Sequence, residues 1–224
     1  MRRKLIWGLG LLMWSANASS QTQCAADLNG DFVVDLDDLL AMLIHYGDSC
    51  ENDMEVYPTL YISEIHYNPN SEQGNDSDWE FIEIFNPHNF NVPLAGWSIQ
   101  NAIQASFDEN HMILAGGLFV VARNIDTLST IANNFEFMSA WDAGESLNNT
   151  GETIEIVAPD GTISSHVPYE DNDGWSPEPD GLGPSLEWMD PNLPNHDPAS
   201  WSASLVFGGT PGLPNSMWGL SDPE

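Results

Sequence analysis

From residue 59 onward, short runs of β-branched and aromatic residues alternate with clusters of Gly, Pro, Asn and Asp, and no stretch keeps a helical period. That segmentation is the strongest constraint on the fold. Strands are expected over Leu60–Tyr67, Trp79–Asn86, Gly96–Ile99, Met112–Leu114, Leu118–Ala122, Thr153–Ala158, Ile163–Val167 and Ser185–Met189. Turns at Ala115-Gly116-Gly117, Pro159-Asp160-Gly161 and Asp180-Gly181 separate them. Strands this short, joined by turns rather than helices, predict a mainly β chain folded as an antiparallel β-sandwich. No cysteine falls in this region. Packing must therefore hold the sheets, and the Trp and Phe residues supply the bulk.

The first fifty residues read differently. Arg2, Arg3 and Lys4 precede an apolar run from Leu5 to Trp14, and Ala16-Asn17-Ala18 follows. This is the pattern of a secretory signal over residues 1–18, with an apolar run too short to span a bilayer. Export makes the protein secreted or periplasmic, with no membrane attachment once the signal is removed. Cys24 and Cys50 are the only cysteines, and in an oxidising compartment they are expected to pair as a disulfide. Closing that loop would stabilise by roughly 3–4 kcal/mol in the chain-entropy picture.

Between the cysteines, Asp27, Asn29, Asp31, Asp35 and Asp38 fall at positions 1, 3, 5, 9 and 12 of a loop numbered from Asp27. Those are the positions from which an EF-hand-like loop turns oxygen ligands inward, and the Val33 carbonyl would complete the shell. The ion such a set suits is calcium, which is hard and takes six to eight oxygens. Leu36, Leu39, Leu40, Leu43 and Ile44 then recur at helical spacing, so a loop–helix module is expected over 24–50. Residues 51–58 read as a linker.

Charge narrows the function classes. The 224 residues carry 34 acidic against four basic side chains, a formal net charge of −30. Three of those four bases lie in the signal, leaving Arg123. Phosphate-rich partners would be repelled, which excludes nucleic acid and disfavours anionic membranes. Nine Trp and nine Phe exclude a chain disordered throughout. Neither HExxH, nor GxSxG, nor a phosphate loop occurs, and the histidines after the linker are scattered. The chain is therefore expected not to be an enzyme. Asp76, Asp78 and Glu80 alternate and form a candidate second cation site. Glu80 and Glu83, at odd spacing, should point to opposite faces, with Glu83 buried and hydrogen-bonded.

Two resemblances add to this. Residues 24–50 resemble the calcium-binding repeat of dockerin modules, which implies calcium and attachment to an extracellular assembly. The chain departs from that pattern in having one repeat, and Phe32 where Gly is expected. Glu64-Ile65-His66-Tyr67-Asn68-Pro69, Trp79 through Asn86, and Leu94-Ala95-Gly96-Trp97-Ser98-Ile99 resemble lamin-tail domains. So do the Leu114 turn, Trp175 with Asp180 through Glu187, and Trp201 with Gly209 through Asn215. This second resemblance spans 59–215, leaves 216–224 as a tail, and implies an immunoglobulin-like sandwich of the secreted bacterial kind. Trp97, inside a strand-like run, and Trp175 and Trp201, within those motifs, are expected in its core. The expected function is calcium-assisted binding or adhesion to an extracellular protein or carbohydrate ligand. The alternative is an accessory part of an extracellular polysaccharide-degrading system, held by the dockerin-like segment.

Overall fold

A computed structural model describes residues 33–44, 56–131, 138–141 and 144–218. The signal, Cys24, Cys50, Asp27, Asn29 and Asp31 lie outside the described residues. The chain divides into two units, Met1–Met54 and Glu55–Glu224. The first contributes one described element, helix α1 (Leu36–Ile44), where the leucine spacing places it.

Among the described residues the second unit has twelve strands. β1 (Tyr61–His66), β2 (Phe81–Phe85), β7 (Leu118–Ala122), β8 (Met138–Ala140), β11 (Pro184–Trp188) and β12 (Trp201–Phe207) form one sheet, in the order β12-β11-β1-β2-β7-β8. β4 (Ser98–Asn101), β5 (Ala105–Ser106), β9 (Gly151–Val157) and β10 (Ile163–Glu170) form a second, ordered β10-β9-β4-β5. β3 (Val92–Pro93) and β6 (Met112–Ile113) make a short separate ladder. All eight strands expected from the sequence are present. The pairing is antiparallel except between β7 and β8, which run parallel, a departure from the all-antiparallel expectation. Helix α2 (Ile125–Leu128) bridges those two strands in sequence and is capped by the Asn124 side chain accepting from the Thr127 amide.

The sandwich core is where the two sheets meet. Ile65, Ile82, Ile84, Leu186 and Trp188 of the first sheet join Ile99, Ile154, Ile156, Val167 and Tyr169 of the second in one cluster. Each such side chain contributes roughly 1.5–3 kcal/mol by leaving water. Trp97, Trp175 and Trp201, expected to be core residues, are 1%, 6% and 4% exposed. Trp175 and Trp201 face one another with ring centroids 6.1 Å apart, and the Trp201 indole donates to the Asn195 carbonyl. Polar bolts cross between the sheets as well. Asn195 donates to the Ile62 carbonyl at 2.9 Å and accepts from Ser165 Oγ at 2.6 Å.

The central strands β1 and β2 are buried on both faces. One face meets the second sheet. On the other, Leu128 of α2 covers Phe81, Val120 and Ala122, and the segment after β12 covers the rest. The fold therefore continues past residue 215: Ser216, Met217 and Trp218 all bond back to β11.

Candidate functional site

The most perturbed carboxyl groups, Glu64 and Glu83, lie on that covered face. Glu64 of β1 stands opposite Glu83 of β2 and opposite Glu187 of β11 in the strand register, so three carboxyl groups share one patch. All three are fully buried. Glu83 accepts from Ser63 Oγ at 2.8 Å and from the Gly212 amide at 2.7 Å, as its expected structural role requires. Glu64 accepts from Ser185 Oγ and the Thr210 amide, and Glu187 from Ser216 Oγ and the Met217 amide. Burial raises the Glu64 carboxyl well above its ordinary range, with Glu83 and Glu187 adding repulsion. Burial likewise pushes Glu83 up to about 8. Gly209 fits here because it adopts φ +80° and has no Cβ; one would collide with the Glu64 carboxyl and with Ser185.

The acids proposed as a second cation site do not converge. The Asp76 and Asp78 side chains take Asn149 and Asn124 as partners, while Glu80 turns inward to accept from the Leu147 amide at 3.0 Å. Asp76 keeps its second oxygen, Oδ1, buried and without a hydrogen-bond partner. Among the described residues no group of three His, Cys, Asp or Glu side chains could hold a metal ion. Burial pushes Glu80 up to about 7, and it lies on the opposite side of the strand from Glu83, as the odd spacing requires. His66 of β1 is fully buried, and burial lowers its ring to about 4, leaving it neutral.

Of the calcium-loop residues, Val33, Asp35 and Asp38 are described. The Asp35 amide donates to Asp38 Oδ2 at 2.8 Å, and Asp35 Oδ1 accepts from the Asp37 amide at 2.9 Å. These two bonds cap the first turn of α1. They place loop positions 9 and 12 at a helix N-terminus, where an acid also favours the helix dipole.

Among the described residues the concavities of the sandwich surface include two that differ in lining. One, about 330 Å³, is walled by Tyr57, Pro58, Phe90, Val92, Pro93 and Trp97 among others. Tyr57 meets Trp97 edge-on at 5.9 Å, and Phe90, half exposed, stacks on His88 at 4.9 Å. The other, about 280 Å³, is lined by Tyr61, Ile163, Ser164, His166, Asn195 and His196 among others. Its His166 pairs with Glu155 at 3.1 Å. The first offers apolar ring faces, and the second offers imidazoles and hydroxyls. The acidic loop at 170–180, another candidate surface, is anchored by buried Trp175.

Sequence reasoning singled out Glu83 and missed Glu64, Glu187 and Thr210. A usable signal existed. Glu64 and Glu187 each sit between apolar or small neighbours in the middle of a strand, Ser63-Glu64-Ile65 and Leu186-Glu187-Trp188. A charge there is exposed only if the strand keeps a solvent face, and these strands keep none.

No curated protein matches the chain. The family model described as Lamin Tail Domain matches residues 54–171, more than half of the 224. That span contains the opening strands, the Trp97 motif and the β9–β10 hairpin of the immunoglobulin-like sandwich. The chain belongs to the lamin tail domain family.

Proposed function

We propose that this protein is an exported, non-catalytic binding protein, in which the lamin tail sandwich presents the recognition surface and an N-terminal loop–helix binds calcium. One observation carries the reading. The strongly perturbed acids of the sandwich are sealed from solvent and hold its own backbone and hydroxyl groups, which leaves recognition to the exterior. The ligand is an extracellular protein or a carbohydrate. Calcium would be held by Asp27, Asn29, Asp31, Asp35, Asp38 and the Val33 carbonyl, within a loop closed by Cys24 and Cys50. The start of α1 directly after Asp35 supports this, because it is where a loop–helix of that spacing begins its helix.

The test uses the intact exported chain. Calorimetric titration with calcium should show one site, lost in the double variant Asp27→Ala, Asp38→Ala. The immobilised protein should retain one class of polysaccharide or extracellular protein. Hydrolytic turnover by the purified chain, or no retention of either class, would overturn the binding reading. The same α1 geometry favours a second reading, an accessory component of an extracellular polysaccharide-degrading system. Calcium-dependent capture of a protein scaffold, in place of a polysaccharide, distinguishes that reading from the first.

A further inference from the structure

The segment Gly208–Trp218 carries no titratable side chain, yet five of its donors end on three carboxyl groups of one sheet face. They are the Thr210 amide and hydroxyl, the Gly212 amide, the Ser216 hydroxyl and the Met217 amide. Together with Ser63 and Ser185 they occupy all six oxygens of Glu64, Glu83 and Glu187. Every carboxyl oxygen faces a hydrogen-bond donor, so the cluster is built for protons and not for a metal.

Counting hydrogens shows that the cluster holds one of its own. Thr210 Oγ1 lies 3.1 Å from Glu64 Oε2 and 2.9 Å from Glu187 Oε1, but a hydroxyl has one hydrogen. With both acids ionised, one of these buried oxygen–oxygen contacts would be purely repulsive. A carboxyl proton on Glu64 or Glu187, donated to the Thr210 oxygen, completes the set. Among the described residues nothing else packed on the site supplies compensating charge. β2 and β11 add no titratable side chain beyond Glu83 and Glu187, and β7 and β12 have none. β1 adds His66, which is neutral. Asp126 of the neighbouring α2 is exposed, and the Arg123 charge acts on Asp78 and Glu80.

We propose that Gly208–Trp218 is a proton-locked strap, closed over β11, β1 and β2 while the Glu64–Glu83–Glu187 cluster keeps its proton, and released when the cluster loses it. The direction follows from proton linkage. In the open state Glu64 and Glu83 face water and titrate near their ordinary 4.5, whereas in the closed state burial raises both, Glu83 to about 8. Opening therefore releases protons. Its equilibrium constant rises about tenfold per pH unit for each proton released, between those two values, and levels off above.

Hydrogen exchange of the intact chain, read by mass spectrometry and corrected for the intrinsic pH dependence of exchange, tests this. Protection of peptides covering 208–218 should fall about tenfold or more per pH unit between about pH 5 and 8, while that of β9 and β10 holds. Glu83→Gln keeps an oxygen for the Gly212 amide and removes one titrating group, so its slope should be shallower. Level strap protection across that window, or loss in step with β9 and β10, overturns the proposal. Should Glu83→Gln fail to fold, carboxyl-carbon NMR of the wild type decides. The assigned Glu83 signal should titrate near about pH 8 and that of Glu64 well above its ordinary range, and titration of both in the ordinary carboxyl range refutes the lock.

Discussion

Single side chains decide how this sandwich holds. Trp97 fills the space between the second sheet and Tyr57, so Trp97→Ala should cost roughly 3–5 kcal/mol. Thermal or urea unfolding measures it, and an unaltered midpoint would show that the indole is not core. Asn195 does a different job, joining Ile62 of one sheet to Ser165 of the other. Asn195→Ala should cost roughly 1–3 kcal/mol for each partner left buried and unpaired. Its denaturant slope should be unchanged, because the area exposed on unfolding is the same. At this scale the sequence was legible for the aromatics and for Glu83, and opaque for Glu64 and Glu187. A Trp inside a strand-like run has nowhere to go but the core. A Glu in such a run is buried only if something covers the second face of its strand, and that cover is far away in sequence.

Among the elements, the edge strand β12 is the most informative. Leu205, Val206 and Phe207 are exposed in succession at one end of the six-stranded sheet, the arrangement that invites edge-to-edge pairing. The backbone is blunted by side chains. Ser176 Oγ accepts from the Ala203 amide at 3.2 Å, and Ser216 Oγ accepts from the Leu205 amide at 2.8 Å. Removing both hydroxyls, in Ser176→Ala with Ser216→Ala, should free two amides beside an apolar stripe. Light scattering of that double variant should report concentration-dependent self-association absent from the parent. A strictly monodisperse double variant would show that the stripe alone is harmless. β12 was not among the strands expected from the sequence, although Trp201, Ala203, Leu205 and Phe207 alternate; in the structure Leu205 and Phe207 are exposed. β8 and α2 were not expected either, because three- and four-residue elements carry too little periodicity to register.

Across the whole molecule, charge and buried acids act in the same direction. Glu80 at about 7, Glu83 at about 8 and Glu64 well above its ordinary range bind protons more tightly folded than unfolded. Their stabilisation is complete below about 4.5 and is lost as pH rises through 7 to 8. His66, lowered to about 4, works oppositely and loses its contribution as pH falls below its ordinary 6.5. Three raised acids outweigh one lowered imidazole, so the melting temperature should peak near about pH 5 and decline toward pH 9. A melting temperature that climbs steadily from pH 5 to 8 would contradict this. The net charge of −30 adds self-repulsion, and raising monovalent salt from about 10 to 300 mM should raise the midpoint until screening saturates. Composition alone predicts that salt response, while strand-length apolar runs and turn residues determined eight strands and the burial of Trp97, and the lamin-tail motifs that of Trp175 and Trp201. These are local properties, carried by residues close together in the chain. The glutamate cluster, the strap that seals it and the parallel β7–β8 pair were decided by tertiary structure. Each joins residues distant in sequence, and whether a carboxyl meets water or a backbone amide depends on which segment the topology lays over it.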